Sequence, residues 1–60
     1  MSTLVKTHSA KGNDLVVEFV NGTTYTYEGA AQEEPKLAEA SSKGQYFNTN
    51  IKGKYTYSKN

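Results

Sequence analysis

His8 is the only histidine of the chain, and it is the first residue to consider for catalysis or metal binding. A nucleophile relay would need a carboxylate to orient the imidazole and a hydroxyl beside it in a cleft, which 60 residues can hardly form. A metal site would have to combine His8 with Asp14 and Glu18 from neighbouring strands, and no ligand-spacing signature supports that grouping. Because small polar residues flank His8, we expect an exposed imidazole, no enzyme activity, no metal and no cofactor.

Residues 41–57 are the second candidate site, because they combine aromatic and basic side chains without a single acid. The segment holds four aromatic residues, three lysines and two glycines. The charge of the chain is uneven: residues 1–39 contain three lysines and six acids, whereas residues 40–60 contain four lysines and no acid. Since the chain has no arginine, any phosphate contact must come from lysines, hydroxyls or backbone N–H groups, without the bidentate recognition of a guanidinium.

A basic aromatic segment of this kind is suited to RNA or single-stranded nucleic acid, with lysines on phosphates and rings on bases. The residues concerned are Lys43, Lys52, Lys54 and Lys59 for phosphates, and Tyr55 and Tyr57 for bases. The same composition is also typical of a solvated final strand, and this alternative stays open.

Other residues of this segment are expected to serve the fold. Phe47 has no polar atom to satisfy, so it is the best candidate to anchor the segment in the core. Asn48 and Asn50 are expected to straddle a turn, where their side chains cap backbone groups. Gly44 and Gly53 are expected to be needed for their backbone angles.

The length and composition set further bounds. At 60 residues the chain is one domain, residues 1–60, with a small core. It has no cysteine, so neither a disulfide nor a thiolate metal site can reinforce that core. The longest apolar run, Leu15-Val16-Val17, is far too short to span a bilayer. We therefore expect a soluble, cytoplasmic protein with no membrane partner.

Three strands are predicted from runs of β-branched and aromatic residues. The first covers residues 3–9, from Thr3 onward, and the second covers residues 14–20, with a turn between them. The third covers residues 23–27 and follows Asn21-Gly22, which is a strong hairpin signal.

Two registers compete for this hairpin, and they place Tyr25 and Tyr27 differently. A two-residue turn at Asn21-Gly22 would put both tyrosines on the face of Val16 and Glu18. A three-residue loop with a left-handed Gly22 would instead set Phe19 opposite Thr23. We favour this second register, because it gathers five apolar or aromatic side chains, each contributing about 1.5–3 kcal/mol when buried, on one face. Those side chains are Leu15, Val17, Phe19, Tyr25 and Tyr27. The tyrosines are then expected in the core rather than on a base-stacking platform.

One helix is predicted after Gly29, where helix formers follow each other and acids come first. Pro35 must lie in its first turn, so the helix is expected to start at residues 32–34 and to end near Ser41 or Ser42. Its only large apolar residue is Leu37, so packing on the sheet must hold it. Residues 55–57 are expected to be extended.

Taken together, these motifs resemble the KTSC domain, a small module of bacterial and phage proteins that also occurs at the C-terminus of some lysyl-tRNA synthetases. The resemblance covers essentially the whole chain, although Ala30-Ala31 replaces the Val-Pro that is usual in such domains. It implies a small α+β domain, a proposed RNA-binding role, and no catalytic residue or cofactor. The matching residues are Tyr25, Tyr27, Ser42, Gly44, Phe47, Asn48, Ile51, Gly53 and Tyr55.

The sequence thus predicts an α+β fold: a three-stranded antiparallel meander sheet, one helix packed on one face, and an extended C-terminal segment. The predicted function is a non-catalytic module with weak, sequence-tolerant affinity for RNA or single-stranded nucleic acid. The alternative is a protein-interaction module, such as a small inhibitor or adaptor, that uses a sheet edge or the aromatic C-terminal face. No small-molecule substrate is expected.

Overall fold

The computed structural model describes residues 5–60, and its centre is an antiparallel sheet of four strands in the order β1-β2-β3-β4. The strands are β1 Val5–Lys11, β2 Asp14–Phe19, β3 Thr24–Tyr27 and β4 Tyr57–Lys59. The predicted start of the first strand at Thr3 lies outside the described residues. The α+β class and the meander of the first three strands are confirmed.

The number of strands differs from the prediction, because the C-terminal segment joins the sheet. Tyr57 pairs with Tyr27, and Lys59 pairs with Tyr25. Three residues are too few for a period-two pattern to be recognised, so the sequence indicated only an extended chain. The extended part begins at Tyr57 rather than at Tyr55.

The hairpin between β2 and β3 has the three-residue loop that we favoured. Leu15 pairs with Tyr27 and Val17 with Tyr25. The amide of Phe19 donates to the carbonyl of Thr23 at 2.9 Å, and Gly22 has a φ of +91°, as the bulged loop requires. The predicted register and the predicted left-handed glycine are therefore both confirmed.

The helical layer contains two α-helices where one was predicted. A 3₁₀ turn at Ala31–Glu33 leads into α1, Glu34–Glu39, which has Pro35 in its first turn as expected. The second helix, α2, covers Lys43–Asn50 and was missed. Its glycine, threonine and two asparagines are poor helix formers, so its stability comes from a cap and from packing. The cap is Ser42, whose Oγ accepts from the amide of Gln45 at 3.3 Å.

Helix α2 also corrects the expectations for three of its residues. Asn48 and Asn50 lie inside the helix and not across a turn, and the Nδ2 of Asn50 donates to the carbonyl of Tyr46 at 3.3 Å. Gly44 has an ordinary helical backbone, so no special angle requires it there. Gly53 has a φ of +80°, as expected.

The core lies between one face of the sheet and the two helices. Phe47 is 2% exposed, which confirms its predicted burial. Because Phe47 and Ile51 are four residues apart, they project toward the same side and secure the end of α2. Among the described residues, no helix is long and apolar enough to cross a membrane. The buried apolar residues are Leu15, Val17, Tyr27, Ala30, Leu37, Phe47 and Ile51.

Candidate functional site

A groove lined mainly by aromatic rings opens at one end of the core, with a volume of about 230 Å³. Strands β2, β3 and β4, helix α2 and the chain that follows α2 all contribute to it. We call it the aromatic groove. It is lined by Phe19, Tyr25, Tyr27, Phe47, Lys52, Gly53 and Tyr57.

The rings of the groove pack mostly edge to face, which is a favourable arrangement for aromatic side chains. Phe47 meets Phe19 at a centroid distance of 5.2 Å and Tyr27 at 5.3 Å. Tyr25 meets Tyr57 at 5.3 Å with an angle of 79° between the ring planes. Phe47 and Tyr27 are buried, Phe19 and Tyr25 are half-buried, and Tyr57 is 57% exposed. The groove therefore runs from a floor of buried rings to a ring that faces solvent.

The electrostatics of the groove favour a neutral or anionic occupant. Lys52 lines the groove. Lys59 lies on the face of the sheet that carries Tyr25, because the two residues are directly paired across β3 and β4. Within the described part of the chain, no acidic residue lines the groove. Burial, reinforced by Tyr25 and Tyr57, raises the pKa of Tyr27 to about 12, so its hydroxyl stays neutral at physiological pH.

The structure brings together only some of the residues predicted to contact nucleic acid. Lys52 and Tyr57 line the aromatic groove, and Lys59 pairs with the lining residue Tyr25 without lining the groove itself. Lys54 is exposed in the turn beyond Lys52 and does not line the groove. Lys43 begins α2, so the eight-residue helix, about 12 Å long, separates it from Lys52. The four lysines do not form one continuous stripe.

Tyr55 was expected as an exposed ring, and its environment in the structure is different. It is half-buried against the core, and its hydroxyl donates to Oε2 of Glu33 at 2.8 Å while accepting from Nε2 of Gln32 at 3.1 Å. The expectation rested on alternation with Tyr57, but alternation applies only inside a strand, and β4 begins at Tyr57. The Tyr55 ring is therefore packed against the protein.

Glu33 forms a buried cluster that the sequence reasoning missed. Its Oε1 accepts from the hydroxyl of Tyr46 at 2.5 Å, and its Oε2 accepts from Tyr55. The Tyr46 hydrogen bond, helped by the one from Tyr55, lowers the pKa of Glu33 although burial opposes the shift. The same Tyr46–Glu33 hydrogen bond raises the pKa of Tyr46 to about 12. No local pattern indicates this cluster, because its members lie 13 and 22 residues apart.

His8 is also less exposed than predicted. It pairs with Val17, so its side chain lies on the core side of β1, and its Nδ1 is 2.8 Å from Oε2 of Glu34 at the start of α1. Asp14 and Glu18 have other partners, the amide of Gly29 and the hydroxyl of Thr7. The three residues weighed as metal ligands are therefore not assembled, and residues 5–60 contain no group of three side chains placed to hold a metal ion.

The fold is a two-layer α+β module, and within residues 5–60 its groove is lined by aromatic rings and one lysine and by no acid. A family model described as the KTSC domain matches residues 2–55, nearly the whole chain, and the chain belongs to that family. The resemblance found in the sequence is thereby confirmed. None of the curated proteins compared with the chain matches it significantly.

Proposed function

We propose that this protein is a non-catalytic binding module for RNA or single-stranded nucleic acid, and that the aromatic groove takes one unpaired base. The observation that carries the proposal is the exposed ring of Tyr57 beside half-buried Tyr25, with Lys52 lining the same groove and Lys59 paired with Tyr25. A base stacked on an aromatic side chain contributes about 1–3 kcal/mol whatever its identity. Affinity of this kind tolerates changes of sequence.

The size of the groove supports a single ring as its occupant. Its volume of about 230 Å³ lies below the roughly 300–1,000 Å³ of pockets that enclose whole small molecules. A flat base that is held by its own nucleic-acid chain needs no larger enclosure. No small-molecule substrate is therefore part of the proposal, and no catalytic group is assigned.

The charges support phosphate contacts on either side of that base. Lys52 and Lys59 are both exposed and belong to different parts of the chain: Lys52 lines the groove just after α2, and Lys59 lies in β4 opposite Tyr25. A lysine contacts phosphate as a point charge and reads no base edge. The absence of cysteine is compatible with a reducing compartment, and a cytoplasmic location is part of the proposal.

The alternative, a protein-interaction module, has less support at the edges of the sheet. The register of β1 shifts between Val5 and Thr7, which leaves Lys6 as an extra residue on that edge. The other edge, β4, is only three residues long. A bulge with a lysine and a very short strand are both features that discourage pairing with another chain. A protein partner would therefore have to use the aromatic groove, where it would insert an apolar or aromatic side chain.

A titration with fluorescent single-stranded RNA at several salt concentrations tests the proposal. Two lysine contacts predict a slope of log affinity against log salt of about −1.4, whereas all four late lysines would give about −2.8. Lys52→Ala and Lys59→Ala should each make the slope shallower by about 0.7. Lys6→Ala removes the same charge from the far edge of the sheet and should leave the slope unchanged.

The two functions give different results in this assay. Tyr57→Ala should weaken RNA binding by about tenfold, since one base loses its stacking partner. Absence of binding at high micromolar protein would reject the nucleic-acid function and favour the protein-interaction one. A slope near −2.8 would retain nucleic-acid binding but reject the groove as its centre.

A further inference from the structure

Resting on the function proposed above, we infer that Tyr55 is a positioning residue for the aromatic groove. Its hydroxyl, bonded to the Glu33 carboxylate, holds the loop that forms one wall of the groove. We call residues 52–56 the groove loop; it connects α2 to β4 and carries the lining residues Lys52 and Gly53. Tyr55 itself does not line the groove.

The groove loop is fixed at both ends by backbone hydrogen bonds. At its start, the amide of Lys52 donates to the carbonyl of Phe47 at 2.8 Å. At its end, the carbonyl of Thr56 accepts from the amide of Glu28 at 2.7 Å. Between these points the chain turns at Gly53, where φ is positive. The amide of Lys54 donates to the carbonyl of Ile51 at 3.0 Å, which is a local contact with the end of α2. The middle of the loop therefore depends on a side chain for attachment to the rest of the protein.

Tyr55 provides that attachment. Its ring packs against the core, and its hydroxyl reaches across to Glu33 in the 3₁₀ turn and to Gln32 beside it. Glu33 is only 9% exposed and carries a depressed pKa, so it is a charged and stationary acceptor at neutral pH. A hydrogen bond to a charged group is stronger than one between neutral groups, which suits it to hold a loop.

Tyr46 gives an internal comparison for Tyr55. The hydroxyl of each tyrosine donates a hydrogen bond to a different oxygen of the Glu33 carboxylate. Tyr46, however, lies in α2, where its amide is bonded to the carbonyl of Ser42 at 3.0 Å. Losing the Tyr46 hydroxyl removes a contact between two helical elements, whereas losing the Tyr55 hydroxyl releases the groove loop.

The experiment compares Tyr55→Phe with Tyr46→Phe by amide hydrogen exchange and then by RNA titration. In Tyr55→Phe, the amide of Lys54, which is hydrogen-bonded within the groove loop, should exchange about tenfold faster relative to amides of the β1–β2 pair, which report global unfolding. In Tyr46→Phe this ratio should change less than about twofold. RNA affinity should fall about three- to tenfold in Tyr55→Phe and stay near the parent value in Tyr46→Phe.

The exchange measurement needs no RNA, so the two proposals fail separately. Equal effects of the two variants on the loop, or no effect of Tyr55→Phe, would overturn the positioning role whether or not RNA binds. Faster loop exchange in Tyr55→Phe alone, with no RNA binding by the parent, would support the loop attachment and overturn the nucleic-acid function. Faster loop exchange with unchanged RNA affinity would overturn the role of the loop in binding.

Discussion

Truncation of Phe47 to alanine should remove most of the stability of this domain. The side chain is 2% exposed and meets the rings of Phe19 and Tyr27 edge to face at 5.2 and 5.3 Å. Loss of a buried phenylalanine costs about 3–5 kcal/mol. At roughly 0.05–0.15 kcal/mol per residue, a chain of 60 residues has a free energy of unfolding of only about 3–9 kcal/mol. The loss is at least half of the middle of that range, so Phe47→Ala should unfold at a far lower urea concentration than the parent.

Urea denaturation followed by far-ultraviolet circular dichroism measures this loss. Phe47→Leu provides an intermediate, because it keeps much of the apolar volume but loses two ring contacts of about 0.5–1.5 kcal/mol each. The control is Val20→Ala, which shortens an apolar side chain that is 59% exposed and should change stability by less than about 0.5 kcal/mol. If Phe47→Ala unfolds at the same urea concentration as Val20→Ala, the assignment of Phe47 to the centre of the core is refuted.

Three further substitutions test other parts of the structure. Gly22→Ala places a side chain at a φ of +91° and should cost about 1 kcal/mol in urea denaturation, and an unchanged midpoint would contradict the bulged loop. Because the folded pKa of Glu33 lies below its unfolded value, its contribution is present above the unfolded pKa and is lost as pH falls through the folded pKa. Urea midpoints measured at falling pH should therefore drop less steeply for Glu33→Gln than for the parent, and parallel curves would contradict this reasoning. His8→Ala removes the 2.8 Å contact with Glu34 and should destabilise the fold by about 1 kcal/mol, and Glu34→Ala removes the same contact from the α1 side. Unchanged urea midpoints in both variants would show that the contact does not stabilise the fold.

The parts of the fold that the sequence predicted correctly depend on local patterns. The hairpin followed from Asn21-Gly22, and its register followed from the demand that one face be apolar. The burial of Phe47 followed from its having no polar atom. In each case the prediction depends on the residue itself or on residues close to it in the chain.

The errors concern residues whose partners are distant in the chain. Helix α2 has weak intrinsic propensity and forms because Phe47 and Ile51 reach the core, which no local rule indicates. Tyr55 looks like an exposed strand residue until Glu33, 22 residues earlier, is placed beside it. The count of late lysines was correct, but a count along the chain does not say that helix α2 separates Lys43 from Lys52, which lies in the loop beyond its end.

The connectivity of the sheet also sets the order in which the aromatic groove is built. Strands β1, β2 and β3 are joined by short turns, so their contacts form at small cost in loop entropy. Both helices lie between β3 and β4 in the sequence, so the pairing of these two strands is the non-local pairing of this sheet. Because of this loop-entropy cost, we expect the ring of Tyr57 to reach Tyr25 and Tyr27 after the contacts of the meander have formed. The groove is complete only when β4 has paired with β3, because Tyr57 is one of its lining residues.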